Sequence, residues 1–275
     1  SGTEKLEKAG IREAKLDAWY LLEYKTGISR AVFFADPDRE VEEEKAESYQ
    51  KDICTRARRI PLQHITGEQE FMGLNFKVNE NVLIPRQDTE ILVEEALKRI
   101  RPDMQILDMC TGSGCILESV LKFGEKKQMH LKGTGCDISE EALKVARENN
   151  SRLGTDARFI KSDLFESVTG KYDMIVSNPP YSIKWAGDEN PLLINDPRFA
   201  PAGVLAPKSK ADMAFIMHSL SWLASNGTAA IVCFPGIMYR GGAEQKIRKY
   251  LVDNNYIDCI IQLPSNLFFG TSIAT

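Results

Sequence analysis

From about residue 88 onward, short apolar segments that favour strands alternate with amphipathic segments that favour helices. This alternation predicts a mostly parallel sheet covered by helices on both faces. The apolar run at 260–263 is typical of a strand that is buried on both sides. The predicted helices are 88–100, 115–123, 139–152, 211–225 and 242–254, and the predicted strands are 105–109, 131–136, 157–161, 172–177, 228–234 and 256–262.

The residues that precede this pattern predict a separate helical region. Residues 1–60 carry apolar side chains at helical spacing, interrupted at Asp36-Pro37-Asp38. A hairpin is predicted from residues 65–67 and 71–78, with its turn at Met72-Gly73. The predicted domains are a helical domain at 1–60, a β-hairpin linker at 61–85 and an α/β domain at 86–275.

Composition argues against several classes of function. The chain has 275 residues and a net charge of −4, which disfavours sequence-blind coating of nucleic acid. It has no apolar run long enough to span a membrane and no signal peptide, so we expect a cytoplasmic protein. Its six cysteines lack a CxxC pair, so we expect reduced thiols and no metal site. The basic cluster Arg56, Arg58 and Arg59 has two interpretations, the solvated end of a helix or a handle for an RNA-bearing partner.

A glycine-rich loop follows the first strand of the predicted sheet, in ILDMCTGSGC at 106–115. The strand ends near Asp108, and Gly112 and Gly114 permit a tight turn and close approach of a ligand to the next helix. Position 117 is Leu where a dinucleotide fingerprint has its third glycine, so we expect a nucleoside with a charged tail rather than a pyrophosphate cofactor. A plain strand-to-helix turn is the alternative.

Two acidic residues follow the next strands. Asp137, in GCDIS at 135–139, stands where an acid can accept both hydroxyls of a ribose, although it or Ser139 could simply cap the next helix. Asp163, in SDLF at 162–165, could accept from an adenine amino group while a neighbouring apolar side chain covers the ring. The alternative interpretation of Asp163 is an acid in a turn.

The most specific motif is Asn178-Pro179-Pro180-Tyr181, directly after an apolar strand. The prolines remove two backbone donors, so their carbonyls and the Asn178 side-chain oxygen remain as acceptors, with the Tyr181 ring beside them. This set suits a planar NH2 group, because hydrogen bonds that draw its nitrogen toward tetrahedral geometry free the lone pair and strengthen in the transition state. In a doubly wound sheet this loop and the glycine loop face one crevice.

These motifs resemble class I S-adenosylmethionine-dependent methyltransferases that act on planar amino or amide nitrogens. Residues 1–181 resemble the HemK/PrmC family, the glutamine methyltransferases of peptide chain release factors, through PLQHITGEQEFMGLNFKVNENVLIPRQDTE at 61–90 and the motifs above. The family usually has Pro where Gln87 stands. Residues 182–275 instead resemble the modification subunit of type I restriction systems, which methylates adenine in DNA. The chain therefore reads as a chimera joined near 178–183.

The resemblance implies a fold, a cofactor and a set of site residues. The implied fold is a Rossmann-like α/β methyltransferase domain preceded by a small helical domain, for substrate recognition, and a hairpin. The implied cofactor is S-adenosyl-L-methionine, with S-adenosyl-L-homocysteine as product. The implied catalytic residues are Asn178, Pro179, Pro180 and Tyr181, and the implied cofactor-binding residues are Arg86, Thr89, Asp108, Thr111, Gly112, Ser113, Gly114, Asp137, Ile138, Asp163, Leu164 and again Asn178.

Three hypotheses about the acceptor follow. The first is the side-chain amide of a glutamine in a release factor, which the mild acidity favours; the second is adenine in DNA; the third is a cofactor-binding chimera without turnover. No histidine stands near the acceptor motif, so His64, His130 and His218 are interpreted as structural and the released proton goes to solvent. Because the chain ends soon after residue 262, we expect the last strand of the sheet to be missing and an apolar edge to favour self-association.

Overall fold

The computed structural model describes residues 1–36, 38–164 and 166–263. The chain divides into two compact units, one formed by Ser1–Gln69 with Lys77–Ile84 and the other by Glu70–Phe76 with the chain from Pro85 onward. Each unit has an apolar core of its own. Within the described ranges, no helix is long and apolar enough to cross a membrane.

The first unit is built mostly from helices, as its sequence spacing predicts. Leu6, Leu21 and Ile53 are fully buried at its centre. The Arg56 Nε donates to Asp17 Oδ2 over 2.7 Å at the edge of this core, so Arg56 is paired within the fold, whereas Arg58 and Arg59 are exposed as expected for a solvated helix end. The helices are α1 (Gly2–Lys8), α2 (Ala14–Thr26), α3 (Arg30–Ala35), α4 (Glu43–Ala57) and α5 (Leu62–Thr66).

A two-stranded hairpin, β1 (Glu68–Phe71) and β2 (Leu74–Lys77), follows α5. Its turn is at Met72-Gly73, whose φ angles of 55° and 69° are those of the tight turns that match the twist of a hairpin. The prediction that residues 65 and 66 belong to the hairpin is wrong, because they complete the last turn of α5. Gly67 ends this helix in a left-handed conformation, and its carbonyl accepts from the Val78 N–H over 2.9 Å, so it pairs across the hairpin as predicted.

The second unit contains a five-stranded sheet in the order β5-β4-β3-β6-β7, and every neighbouring pair of strands is parallel. This arrangement confirms the predicted α/β class. Its elements, with the helices that flank the sheet, are α6 (Gln87–Leu97), β3 (Gln105–Met109), α7 (Cys115–Lys126), β4 (Lys132–Asp137), α8 (Glu140–Leu153), β5 (Ala157–Lys161), β6 (Tyr172–Ser177), α9 (Asp212–Trp222), β7 (Leu223–Ile231) and α10 (Ala243–Asp253).

The central strand β3 is buried on both faces. Ile106 packs into one apolar cluster, whereas Leu107 and Met109 pack into a second, because successive side chains of a strand point to opposite faces. None of the three is exposed to solvent. Strand β3 therefore holds the loop that follows it rigidly between β4 and β6.

The C-terminal elements differ from the prediction. The helix predicted at 211–225 ends at Trp222, because Leu223 becomes extended and pairs with Tyr172, so the strand predicted at 228–234 starts earlier and ends at Ile231. The strand predicted at 256–262 is wrong: these residues form no strand, and Ile260 and Ile261 are 59% and 48% exposed.

Apolar β-branched residues favour a strand only where a hydrogen-bonded neighbour is present. Residues 256–262 pair with no strand in the described part of the chain. The predicted last strand, begun by Phe268, Phe269 and Ile273 and cut short, lies outside the described residues, and so does the test of the apolar sheet edge that its absence would leave.

The long segment between β6 and α9 contains only two short 3₁₀ helices among its described residues, Gly187–Glu189 and Leu193–Asn195, and its ends are hydrogen-bonded to each other. The Ala211 N–H donates to the Ile183 carbonyl over 2.9 Å, and the Trp185 N–H donates to the Lys208 carbonyl over 3.0 Å. The segment packs through Phe199 against a cluster that includes residues of α9 and α10. The segment is thus a loop whose two ends are hydrogen-bonded to each other beside the end of β6.

Candidate active site

Three loops lie together at the carboxyl ends of β3, β4 and β6. The pairing of β3 with β6 places Met109 opposite Ser177, and the buried Ser177 hydroxyl donates to the Met109 carbonyl over 2.7 Å. On the other side, the Thr111 N–H donates to the Cys136 carbonyl over 3.0 Å. The glycine loop and the Asn-Pro-Pro-Tyr loop therefore start from adjacent, mutually bonded strand ends, as the sequence predicts.

The glycine loop leaves an open backbone surface. Gly112 has a φ of 53°, and a Cβ at this position would meet no atom within 4 Å. Gly114 has a φ of 81° immediately before α7, and a Cβ there would lie 3.3 Å from Cβ of Ala146 on α8. Gly112 thus permits approach of a ligand and Gly114 permits close packing of a helix.

Asp137 ties the end of β4 to the glycine loop. Its Oδ2 accepts from the Gly112 N–H over 2.9 Å and its Oδ1 accepts from the Ser139 N–H over 3.0 Å. Ser139 caps α8, since its hydroxyl oxygen accepts from the Ala142 N–H over 3.2 Å. The capping role therefore falls to Ser139, and Asp137 remains at the edge of the loop where a ribose was predicted.

Asp108 is a fully buried carboxylate beneath the same loop. Its Oδ2 accepts from the Thr111 hydroxyl over 2.6 Å, whereas its Oδ1 makes no hydrogen bond of ordinary geometry to any described residue. Burial raises the pKa of Asp108 to about 7, although Thr111 and the backbone amide of Leu117 lower it in part. The Oδ1 atom of Asp108 can therefore accept a hydrogen bond from an N–H donor of a ligand.

A fourth loop of the site follows β5. The Ser162 N–H donates to the Asp137 carbonyl over 3.0 Å, which brings this loop to the end of β4. Asp163 is exposed, Leu164 is partly buried with a φ of 51°, and Ile138 is 63% exposed. An acid with two apolar side chains nearby fits the purine end of a nucleoside.

Together these groups fit S-adenosylmethionine, because they offer an acid for the ribose, apolar cover for the base, and an open glycine backbone and the Asp108 carboxyl group for the charged tail. Sequence reasoning missed Asn149 of α8, whose buried Nδ2 donates to the carbonyl of Ser113 over 2.9 Å and so fixes the glycine loop from behind. A polar residue inside an amphipathic helix was its only signal.

Asn178 is fixed by the start of α6. Its Nδ2 donates to Oγ1 of Thr89 over 3.4 Å, and the Thr89 hydroxyl donates to Oδ1 of Asp88 over 2.9 Å. Because the amide nitrogen of Asn178 is the donor in this contact, its carbonyl oxygen is the group left to accept. Pro179 is buried and Pro180 is exposed, so the loop is anchored at one proline only.

Tyr181 faces a second aromatic ring that the sequence did not assign to the site. The centroids of Tyr181 and Phe234 are 6.3 Å apart with an interplanar angle of 56°. Burial raises the pKa of the Tyr181 hydroxyl far above its usual range; Asp88 also raises it, and Arg86 opposes the shift. Tyr181 thus stays protonated at neutral pH. Arg86, which was predicted to bind the cofactor, lies close enough to Tyr181 to influence the pKa of its hydroxyl.

A network of charged side chains, also missed by sequence reasoning, lies behind Tyr181. Asp212, the first residue of α9, accepts from the Ser182 N–H over 2.9 Å and from the Ser182 hydroxyl over 3.2 Å. Arg240 Nη1 lies 3.4 Å from Asp212 Oδ2 and 3.3 Å from Glu244 Oε1. Because an acid at the start of a helix is common, Asp212 carried no distinctive signal in the sequence.

Two family models match the chain. The model described as N-6 DNA methylase matches residues 76–275, and the model of the PrmC N-terminal domain matches residues 1–67. The resemblance to both families is therefore confirmed. The DNA methylase match starts at residue 76, so it reaches much further toward the N-terminus than the join predicted near 178–183.

Similar curated proteins fall into the same two groups. The methylase subunit of the type I restriction enzyme MpnII from Mycoplasma pneumoniae is 44% identical over 70% of this chain, but the chain spans only 38% of that subunit. The release factor glutamine methyltransferase of Haemophilus influenzae is 35% identical over 80% of both chains. The one from Caulobacter vibrioides is 38% identical, covering 73% of this chain and 70% of its own.

Solved structures share the fold. The methyltransferase subunit of a type I restriction-modification system from Streptococcus thermophilus aligns with a TM-score of 0.62 at 26% identity, covering 85% of this chain and 53% of its own. A candidate class I S-adenosylmethionine-dependent methyltransferase from Listeria monocytogenes aligns with a TM-score of 0.57 at 17% identity, covering 99% of this chain and 85% of its own. The second likeness concerns the fold alone.

Proposed function

We propose that this chain, which belongs to the N-6 DNA methylase family over residues 76–275 and to the release factor glutamine methyltransferases over most of its length, methylates a peptide chain release factor. The proposed acceptor is the side-chain amide of a glutamine. By family and fold the chain is a class I S-adenosylmethionine-dependent methyltransferase. Family membership establishes methyl transfer from S-adenosylmethionine, and the identity of the methyl acceptor is what we propose.

The position of Asn178 supports an amide or amine nitrogen as the methyl acceptor, and the match of residues 1–67 to the PrmC N-terminal domain carries the choice of glutamine. The amide nitrogen of Asn178 is held by Thr89, and its loop leaves β6 beside the strand that carries the glycine loop. The side-chain oxygen is therefore a fixed acceptor at the edge between the acceptor loop and the predicted cofactor loop. A primary amide offers two N–H donors in one plane, which match this oxygen and the carbonyl of Pro179.

When bound, S-adenosylmethionine supplies a methyl group on a positively charged sulfur. The contribution of this chain is to orient the amide nitrogen and to accept its hydrogens, which localises the nitrogen lone pair as the new N–C bond forms and the S–C bond breaks. The nitrogen then releases one proton to solvent. The N-terminal unit, which matches the PrmC N-terminal model, is the proposed contact for the release factor.

Adenine in DNA is the second candidate, and the Tyr181–Phe234 pair favours it. The ring centroids of Tyr181 and Phe234 are 6.3 Å apart. One of these rings can stack on an aromatic base, which suits adenine better than an aliphatic amide. A base in a duplex would first have to leave the stack. The net charge of −4 argues against unaided DNA binding, so this activity would need a partner that holds the duplex.

A methyl-transfer assay with radiolabelled S-adenosylmethionine separates the candidates. We expect label in a release factor and not in unmethylated duplex DNA, and we expect Asn178→Ala to lower the rate about 100-fold or more. Asn226→Ala, at an exposed position of β7, is the control and keeps the wild-type rate. Label in DNA alone favours the second candidate, and calorimetric cofactor binding without label in either acceptor favours a chimera that binds cofactor without turnover.

A further inference from the structure

We propose that Asp212 is a positioning residue that holds the acceptor loop and the facing aromatic ring in one arrangement, through Ser182 on one side and Arg240 on the other. The inference rests on the proposed function insofar as Tyr181 touches the methyl acceptor. It is independent of which acceptor is used, because the same loop and ring serve a glutamine amide and an adenine.

The first arm of this arrangement fixes the backbone after Tyr181. Ser182 has a φ of 50°, a left-handed conformation that a residue other than glycine keeps only when its surroundings hold it. Both donors of Ser182, the N–H and the hydroxyl, point at the Asp212 carboxylate over 2.9 and 3.2 Å. Asp212 thus selects the conformation in which the chain leaves Tyr181.

The second arm fixes the ring that faces Tyr181. The Arg240 guanidinium lies beside Asp212 and Glu244 and sits 4.8 Å from the centroid of Phe234. Gly236 makes room for it, since a Cβ at this position would lie 2.5 Å from Arg240 Nε. Arg240 therefore supports Phe234 while the ring packs toward Tyr181.

Burial makes the two arms depend on each other. The side chains of Asp212, Glu244 and Arg240 are only 5%, 4% and 16% exposed, so each charge relies on its protein partners rather than on water. Losing the charge of Asp212 weakens its bonds to Ser182 and also leaves Arg240 with Glu244 alone. These contacts involve the acceptor side of the site, whereas the glycine loop is held separately by Asp137 and Asn149.

The test is the variant Asp212→Asn, with Asp253→Asn as control because Asp253 is also paired on a helix but is exposed at the end of α10. We expect Asp212→Asn to lower kcat/KM for the acceptor at least about tenfold and to speed amide hydrogen exchange at Ser182, while the Kd of S-adenosylmethionine stays within about twofold. Adding Ser182→Gly should recover part of the lost rate, because glycine adopts a φ of 50° without strain.

Thermal unfolding checks that each variant folds. If Asp212→Asn does not, Ser182→Ala removes only the hydroxyl donor and should lower kcat/KM about threefold with unchanged cofactor affinity. A parallel loss of cofactor affinity, or unchanged exchange at Ser182, overturns the inference. If the wild-type protein methylates neither acceptor, the proposed function fails, yet exchange at Ser182 and cofactor affinity still test the positioning role.

Discussion

Replacing Asp108 by asparagine should change how stability depends on pH, because the native state holds this carboxyl fully buried. Its pKa is raised from 3.8 to about 7, chiefly by burial. Between these two values the native state keeps a proton that the unfolded chain has released. The contribution of Asp108 is therefore most favourable below about pH 4 and is lost progressively as the pH rises to about 7.

The magnitude follows from the size of the shift. About three pKa units at 1.36 kcal/mol each give about 4 kcal/mol in all, of which about 3 kcal/mol falls between about pH 5 and pH 8. Asparagine has nearly the same shape and can accept from Thr111, but it does not titrate. The free energy of unfolding of the wild type, relative to Asp108→Asn, should thus fall by about 3 kcal/mol over this range.

Urea unfolding followed by tryptophan fluorescence measures this difference. In a Trp19→Phe background the remaining tryptophans, Trp185 and Trp222, both belong to the unit that contains Asp108, so the signal reports that unit. Other titrating groups are common to both proteins and largely cancel in the comparison. Parallel pH profiles for wild type and variant would refute the reasoning, since they would mean that Asp108 does not hold its proton in the native state.

Three further variants test single contacts. Asp137→Ala removes the acceptor that ties Gly112 to β4, so calorimetry should give at least about tenfold weaker binding of S-adenosylmethionine, and a loss below twofold contradicts this. Thr89→Val removes the hydroxyl that holds Asn178, so kcat should fall about three- to tenfold; a change confined to cofactor affinity assigns Thr89 to the cofactor instead. Ser139→Ala removes the cap of α8 and should cost about 1 kcal/mol in urea unfolding, whereas Ser139→Asn should keep most of it.

The cofactor side of the site was predictable because its residues follow strands directly. Strand β3 at Gln105–Met109 and strand β6 at Tyr172–Ser177 have the predicted bounds. Once the sheet is parallel, the loops after these adjacent strands must meet. Local sequence signals such as Gly112 and Asp137 therefore sufficed to place this half of the site, although their roles in binding stay predictions.

The acceptor side was not predictable in the same way. Tyr181 faces Phe234, the next residue Ser182 is held by Asp212, and Asp212 pairs with Arg240. These three partners are far from the Asn-Pro-Pro-Tyr loop in the sequence and come to it only through the packing of α9 and the loop after β7. The strand predicted at 256–262 failed for a related reason, because a strand depends on a neighbour that propensity does not reveal. Both the acceptor-side contacts and the absence of a strand at 256–262 depend on pairing between distant segments, which local sequence patterns do not reveal.

The order of strands in the sheet also has a consequence for synthesis on the ribosome. Strands β3, β4, β5 and β6 emerge in sequence, and all of them can pair before β7 has been translated. At that stage the apolar strand β6 is an edge, with the hydrogen-bonding groups that later pair with β7 unsatisfied. While residues 178–222 emerge, the nascent chain therefore presents a sheet edge prone to pairing with other strands, and a chaperone that covers such edges would raise the yield of folded protein.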